Sequence, residues 1–149
     1  MDNDQLARII SSIGILKHKY IGSFPADMIP ETTPAETFFI CNTESSKRPG
    51  SHWVMVAKKN GNVYFGDSLG NDPMFYRNIV LKHFDALKIL NRVELQKEPL
   101  CGLYCIYFAF SCSQTFPYTM LMIISSYVSL RRHSRMYIYV TMENFVCLF

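Results

Sequence analysis

The chain has little that would tie it to a membrane, a disulfide framework or a disordered polymer. Its longest apolar run, Tyr118 to Leu130, is broken by Thr119, Ser125, Ser126 and Ser129 and falls short of the ~20 residues that cross a bilayer, so no membrane partner is expected. The opening Met1-Asp2-Asn3-Asp4-Gln5 is acidic where a secretory leader is cationic and then apolar, so no cleaved leader is expected. Cysteines are five, an odd number, and irregularly placed; they do not read as a secreted disulfide framework, and a reducing, intracellular setting is expected. A large excess of one sign of charge is lacking, with 15 Lys and Arg against 12 Asp and Glu. A formal net charge of +3 is mildly basic, which allows weak contact with nucleic acid without requiring it. Internal repeats, linkers and low-complexity tracts are missing as well. What is present is a composition 49% hydrophobic and only 18% charged, which excludes disorder, in 149 residues that fit a single domain over 1–149.

Periodicity places the elements. Asn3 and Asp4 are candidate caps for a first helix carrying Leu6, Ile9, Ile10 and Ile13 on one face and ending near Gly14. Tyr20 to Pro30 is extended and irregular because of its two prolines. Thr37 to Asn42 reads as a buried strand and Thr43 to Gly50 as a polar turn. His52 to Ala57 and Asn62 to Gly66 read as an antiparallel hairpin turning at Asn60-Gly61. Asp72 with Pro73 opens a helix through Phe75, Ile79, Val80, Phe84 and Leu87 to near Leu90, and Arg92 to Gln96 reads as a short strand. Met120 to Tyr127 fits helix or strand, Arg131 to Arg135 is a basic turn, and Met136 to Val140 reads as a strand. The sum is an α+β domain.

The chemistry gathers around Glu94 to Phe110, which passes from polar residues through Pro99 to Cys101-Gly102 and then turns almost wholly apolar. Leu103, Ile106, Tyr107 and Phe110 recur at helical spacing, so Cys101 sits on the first turn of a buried helix. Unpaired N–H groups and the positive end of the helix dipole favour thiolate there. The plainer alternative is a small buried residue. The hairpin brings His52, at the start of one strand, to the same end as Asp67, at the close of the other. Cysteine, histidine and carboxylate then have the logic of nucleophile, base and orienter, with Gln96 and the Cys101 N–H as candidate oxyanion donors. Each also has an ordinary structural reading: a hydrogen-bonded strand-edge histidine, a turn-capping aspartate. Trp53 reads most simply as core, and His18, His83 and His133 as surface or packing residues. Cys101 and Cys105, one helical turn apart with no second pair, make a poor zinc signal.

Taken in order, Gly50-Ser51-His52-Trp53, Tyr64-Phe65-Gly66-Asp67-Ser68-Leu69-Gly70, Gln96 and Cys101-Gly102-Leu103-Tyr104-Cys105 resemble the adenovirus-type cysteine endopeptidases, the adenain family of DNA viruses and virus-like transposons. The likeness runs from about Gln5 to Phe110. It implies a papain-like α+β fold, a catalytic histidine at His52, its acidic partner at Asp67, the nucleophile at Cys101 and an oxyanion-hole glutamine at Gln96. It further implies a protein or peptide substrate, cleavage of viral structural precursors, and action in the host nucleus or the virion as a monomer. No cofactor is needed for the chemistry, while a viral activating peptide and DNA are implied as partners; Lys47, Arg48, Lys58 and Lys59 are read separately as a source of weak electrostatic affinity for DNA, with a solvated loop as the plainer alternative. The chain departs from the family in having no cysteine between Asp67 and Cys101 to anchor such a peptide, in Pro99-Leu100 before the nucleophile, and in a diverged or truncated segment after Phe110. The alternatives are an isopeptidase acting on ubiquitin-like modifiers, as in the wider clan, and an inactive protease-derived binding protein.

Overall fold

The computed structural model of the chain describes residues 1–76, 87–95 and 100–113. The readings of Met120 to Tyr127, Arg131 to Arg135 and Met136 to Val140, and the single domain over 1–149, extend outside the described residues, as do His83 and His133.

The described residues form a small mixed α+β unit. Two helices, α1 (Asn3–Ser12) and α2 (Gly14–Lys17), precede a five-stranded sheet of β1 (Tyr20–Pro25), β2 (Phe38–Asn42), β3 (Trp53–Lys59), β4 (Asn62–Gly66) and β5 (Leu87–Ile89), and α3 (Cys101–Ser113) follows. The strands lie in sequence order; β2–β3 and β3–β4 are antiparallel, while β1–β2 and β4–β5 are parallel.

The start of α1 corrects the expected cap. Asp2, not Asn3 or Asp4, accepts from the Gln5 N–H at 2.8 Å, and the Gln5 side chain accepts from the Asp2 N–H at 3.1 Å. This reciprocal pair satisfies two helix-end donors at once, which a cap inside the helix cannot do. The hairpin turn is as expected. Asn60 and Gly61 both have positive φ (50° and 73°), the conformation a two-residue turn needs to match the twist of β3 and β4.

Both faces of the sheet are covered, which is why β2 is buried along its length and apolar from Phe38 to Cys41. On one face Phe39, Cys41, Val54, Val56 and Phe65 form a core with Ile29 and Tyr76. The alternate residues Phe38, Ile40, Met55 and Ala57 are also buried, and α3 packs against β3 with Phe108 lying on Gly66. A Cβ at Gly66 would come within 2.5 Å of the Phe108 ring, so the close approach of helix and sheet requires glycine there.

Two expectations between Asp72 and Gln96 are corrected. Asp72 caps a single 3₁₀ turn, Pro73–Tyr76, accepting from the Met74 N–H at 2.9 Å. Residues 77–86 lie outside the described set, and Leu87–Ile89, expected at the end of a helix, is strand β5 paired to Val63–Phe65. The strand expected at Arg92 to Gln96 therefore lies five residues upstream. Arg92 to Leu95 is loop, although the Leu95 N–H still bonds the Ser68 carbonyl at 2.7 Å. The β4 edge needs partners for its N–H and C=O groups, and at Leu87 that requirement wins over helical spacing.

Candidate active site

Three elements converge at one end of the sheet. β3 begins just after His52, β4 ends just before Asp67, and α3 begins at Cys101. His52 Nε2 and Asp67 Oδ1 stand 2.6 Å apart, with both side chains buried. Cys101 acts on the other side of the His52 ring, each group favouring the charged form of the other, and because Asp67 occupies Nε2, Nδ1 is the ring nitrogen left to face the sulfur. The backbone N–H groups of Trp53 and Gly102 also favour the thiolate. The latter belongs to the first turn of α3, whose N–H groups have no partner within the helix.

The electrostatics follow from these contacts. Burial pushes the Cys101 thiol up, but the His52 ring, the Trp53 N–H and the charge on His52 outweigh it, and the net direction is down. Burial alone would lower the His52 imidazolium, yet the hydrogen bonds to Asp67 and Cys101 and their charges carry it up to about 9. Asp67 is raised by burial and lowered more by His52, the Leu69 N–H and the Tyr76 hydroxyl, so its carboxyl lies below the usual carboxylate range. Thiolate and imidazolium are thus stabilised together, a charge pair at the head of a helix.

Asp67 is held from several sides. Its Oδ1 accepts from the Leu69 N–H at 2.9 Å, and its Oδ2 accepts from the Tyr76 hydroxyl at 2.8 Å and the Asn71 N–H at 3.3 Å. The Asn71 side-chain amide donates in turn to the Tyr76 oxygen at 3.0 Å. The Tyr76 ring lies over His52, centroids 6.4 Å apart and planes 25° from parallel. Asn91 grips the Asp67 backbone: its Oδ1 accepts from the Asp67 N–H at 3.2 Å, and its Nδ2 donates to the Asp67 carbonyl.

Of the four residues expected in the site, His52, Asp67 and Cys101 are brought together. Gln96 lies outside the described residues. Its neighbour Leu95 is fixed on two sides, by Ser68 and by the Tyr104 hydroxyl, which donates to the Leu95 carbonyl at 2.8 Å. Trp53, expected as plain core, is only half-buried. Its indole donates to the Met1 carbonyl at 3.3 Å, while its main chain serves the thiol. Tyr76, Asn71 and Asn91 were not singled out by sequence. An apolar-run tyrosine and two loop asparagines carry no local signal, since their role is set by contacts across the fold.

Of the basic residues, Lys47 and Arg48 are exposed, with Arg48 3.6 Å from Glu44, while Lys58 and Lys59 are half-buried. His18 is exposed. Among the described residues no three His, Cys, Asp or Glu side chains gather as a metal site, and no helix is long and apolar enough to cross a membrane. No family model and no curated protein sequence matches the chain.

Proposed function

We propose that the protein is a cysteine endopeptidase of the adenain type, with a papain-like arrangement of helix and sheet. The observation that carries the reading is His52 held 2.6 Å from buried Asp67 on one side, with Cys101, at the head of α3, acting on the ring from the other. A lone structural histidine has no need of both partners, nor a packing cysteine of a base.

In the proposed reaction the Cys101 thiolate attacks a peptide carbonyl carbon. A C–S bond forms, and the carbonyl electron pair moves to oxygen. The N–H groups at the head of α3, with Gln96 as the proposed side-chain donor, receive that oxyanion. As the oxyanion collapses, the C–N bond breaks and the His52 imidazolium gives its proton to the departing amine. His52, now neutral, takes a proton from water, which attacks the thioester and releases the acid and the thiolate. Asp67 keeps the ring in one tautomer throughout and stabilises its cation.

The substrates in this reading are structural precursor proteins of a virus or virus-like element, cut in the host nucleus or the particle. Any pull toward DNA comes from Lys47, Arg48, Lys58 and Lys59 and falls steeply with added salt; no binding at low salt removes that part of the proposal. The first experiment is alkylation with iodoacetamide from pH 4 to 9, the label located by mass spectrometry, followed by incubation with unfolded proteins and Cys101→Ala as control. Selective labelling of Cys101 well below the ordinary thiol range, with cleavage lost in the control, is the expected result. Uniform slow labelling of every accessible cysteine overturns the reading.

A further inference from the structure

Strand β5 stops at Ile89, two residues short of where Asp67 needs a ladder partner. The register runs Val63 with Leu87, Tyr64 with Lys88 and Phe65 with Ile89, and the Leu90 N–H then bonds the Phe65 carbonyl at 2.8 Å. At the next step the main chain is replaced by a side chain. The Asn91 carboxamide presents an acceptor to the Asp67 N–H and a donor to the Asp67 carbonyl, as a peptide group of a neighbouring strand would. Its second N–H reaches the Val93 carbonyl at 3.2 Å, tying the loop back on itself. Asn91 is buried, and both polar atoms of its side chain are used.

This substitution has a geometric consequence. A strand continuing past Ile89 would run alongside Asp67 and Ser68, whereas the loop instead bends so that the Val93 main chain packs directly on Gly70. Gly70, with φ +71°, turns the Asp67–Gly70 segment back, and its N–H bonds the Asp67 carbonyl at 2.9 Å. The direction of the Asp67 side chain depends on its main chain, and Asn91 holds both polar ends of that main chain. Tyr76, Asn71 and Leu69 act on the carboxylate instead.

We propose that Asn91 is a positioning residue of the active site, holding the Asp67 main chain so that its carboxylate meets His52. This rests on the cysteine-protease reading. Asn91 touches neither the thiol nor the imidazole and acts on both through Asp67.

The test is the rate of Cys101 alkylation by iodoacetamide against pH in wild type, Asn91→Ala and Asn91→Asp, each also carrying His52→Ala. Asn91→Asp keeps an acceptor for the Asp67 N–H and loses both donors. In otherwise wild-type protein both variants are expected to slow labelling near neutral pH by about ten- to a hundredfold, as small misplacements of catalytic groups do. Rates at strongly alkaline pH, where every thiol ionises, stay the same. With His52→Ala present, neither change has a further effect. An unchanged pH profile in a folded variant overturns the proposal, as does an equal slowing with and without His52. Failure of both variants to melt cooperatively also overturns it, since Asn91 is then a folding residue. Ordinary thiol behaviour in the wild type sinks the protease reading itself, and so is distinguishable from failure of the Asn91 role.

Discussion

Cys101 and Cys105 lie one turn apart on the same helix and have opposite fates. Cys101 is half-buried at the head of α3, where the His52 ring and two backbone N–H groups hold its thiol below the ordinary range. Cys105 is wholly buried, and burial, with the nearby charge of Cys101 and Asp67, pushes its thiol well above that range. Cys41, in the middle of the sheet, is driven up to about 12 by burial alone. Residue type and helix are shared, so neither makes a nucleophile. What differs is the supply of positive charge and donors against the same desolvation.

The sharpest way to break the comparison is to label both thiols in the folded protein. Iodoacetamide at neutral pH is expected to modify Cys101 but neither Cys105 nor Cys41, which react only after denaturation; a Cys105 label in the native state refutes the assigned environments. His52→Ala should make Cys101 resemble an ordinary thiol. Its labelling near pH 6 should fall by about 10²–10⁴-fold, the usual range for loss of a positioned proton-transfer partner. Peptide cleavage should vanish with it.

Asp67→Asn removes less. The imidazole keeps its place beside Cys101 but loses the carboxylate that raises it, so burial, which lowers it, regains weight. The upper limb of the activity profile, set by His52 near 9 in the wild type, is expected to move toward neutral pH, and the thiol to rise. A pH–rate profile checks this, and an unmoved alkaline limb denies Asp67 its orienting role. Tyr76→Phe should cost less again. The lost donor to Asp67 Oδ2 is a bond to a charged, buried acceptor, worth about 1.5–3 kcal/mol in urea unfolding, while the His52–Asp67 contact persists.

Much of this site was legible before any coordinates. Asn60-Gly61 sets the hairpin, a hairpin sets His52 beside Asp67, and the change from polar to apolar at Cys101 marks where α3 begins. Each is a local signal with a local mechanism. The clamps on Asp67 were not legible. Asn91 replaces a strand that stops early, and nothing in Leu87-Lys88-Ile89, a three-residue parallel strand with a lysine at its centre, distinguishes it from the end of an apolar helix. Tyr76 reads as one more aromatic of that helix until its hydroxyl meets Asp67 across the turn. Side chains that stand in for backbone partners leave no period in the sequence. Gln96 is expected both from its place shortly before Cys101 and from the resemblance, and lies outside the described residues.

The smallest expected effect separates the charge pair from its members. A histidine raised from 6.5 to about 9 binds a proton in the folded protein that the unfolded chain has released, so its stabilisation is complete below 6.5 and lost as pH rises through about 9. A cysteine lowered from 9 does the reverse, releasing a proton the unfolded chain retains, so its contribution grows as pH rises toward 9. Where the lowered thiol has ionised and His52 still holds its proton, the folded pair has moved one proton from sulfur to nitrogen and bound none net, and stability should be nearly flat with pH. Cys101→Ala removes one side of that balance. His52 still has Asp67 beside it, so the variant should lose stability as pH rises above 6.5, with a slope of at most about 1.4 kcal/mol per pH unit, the value for one proton. Urea unfolding of both proteins at half-unit pH steps measures it. A flat curve for the variant means that His52 is neutral without its sulfur partner. A falling curve for the wild type means that the proton never left Cys101, and the contrast with Cys105 would then lie in exposure alone.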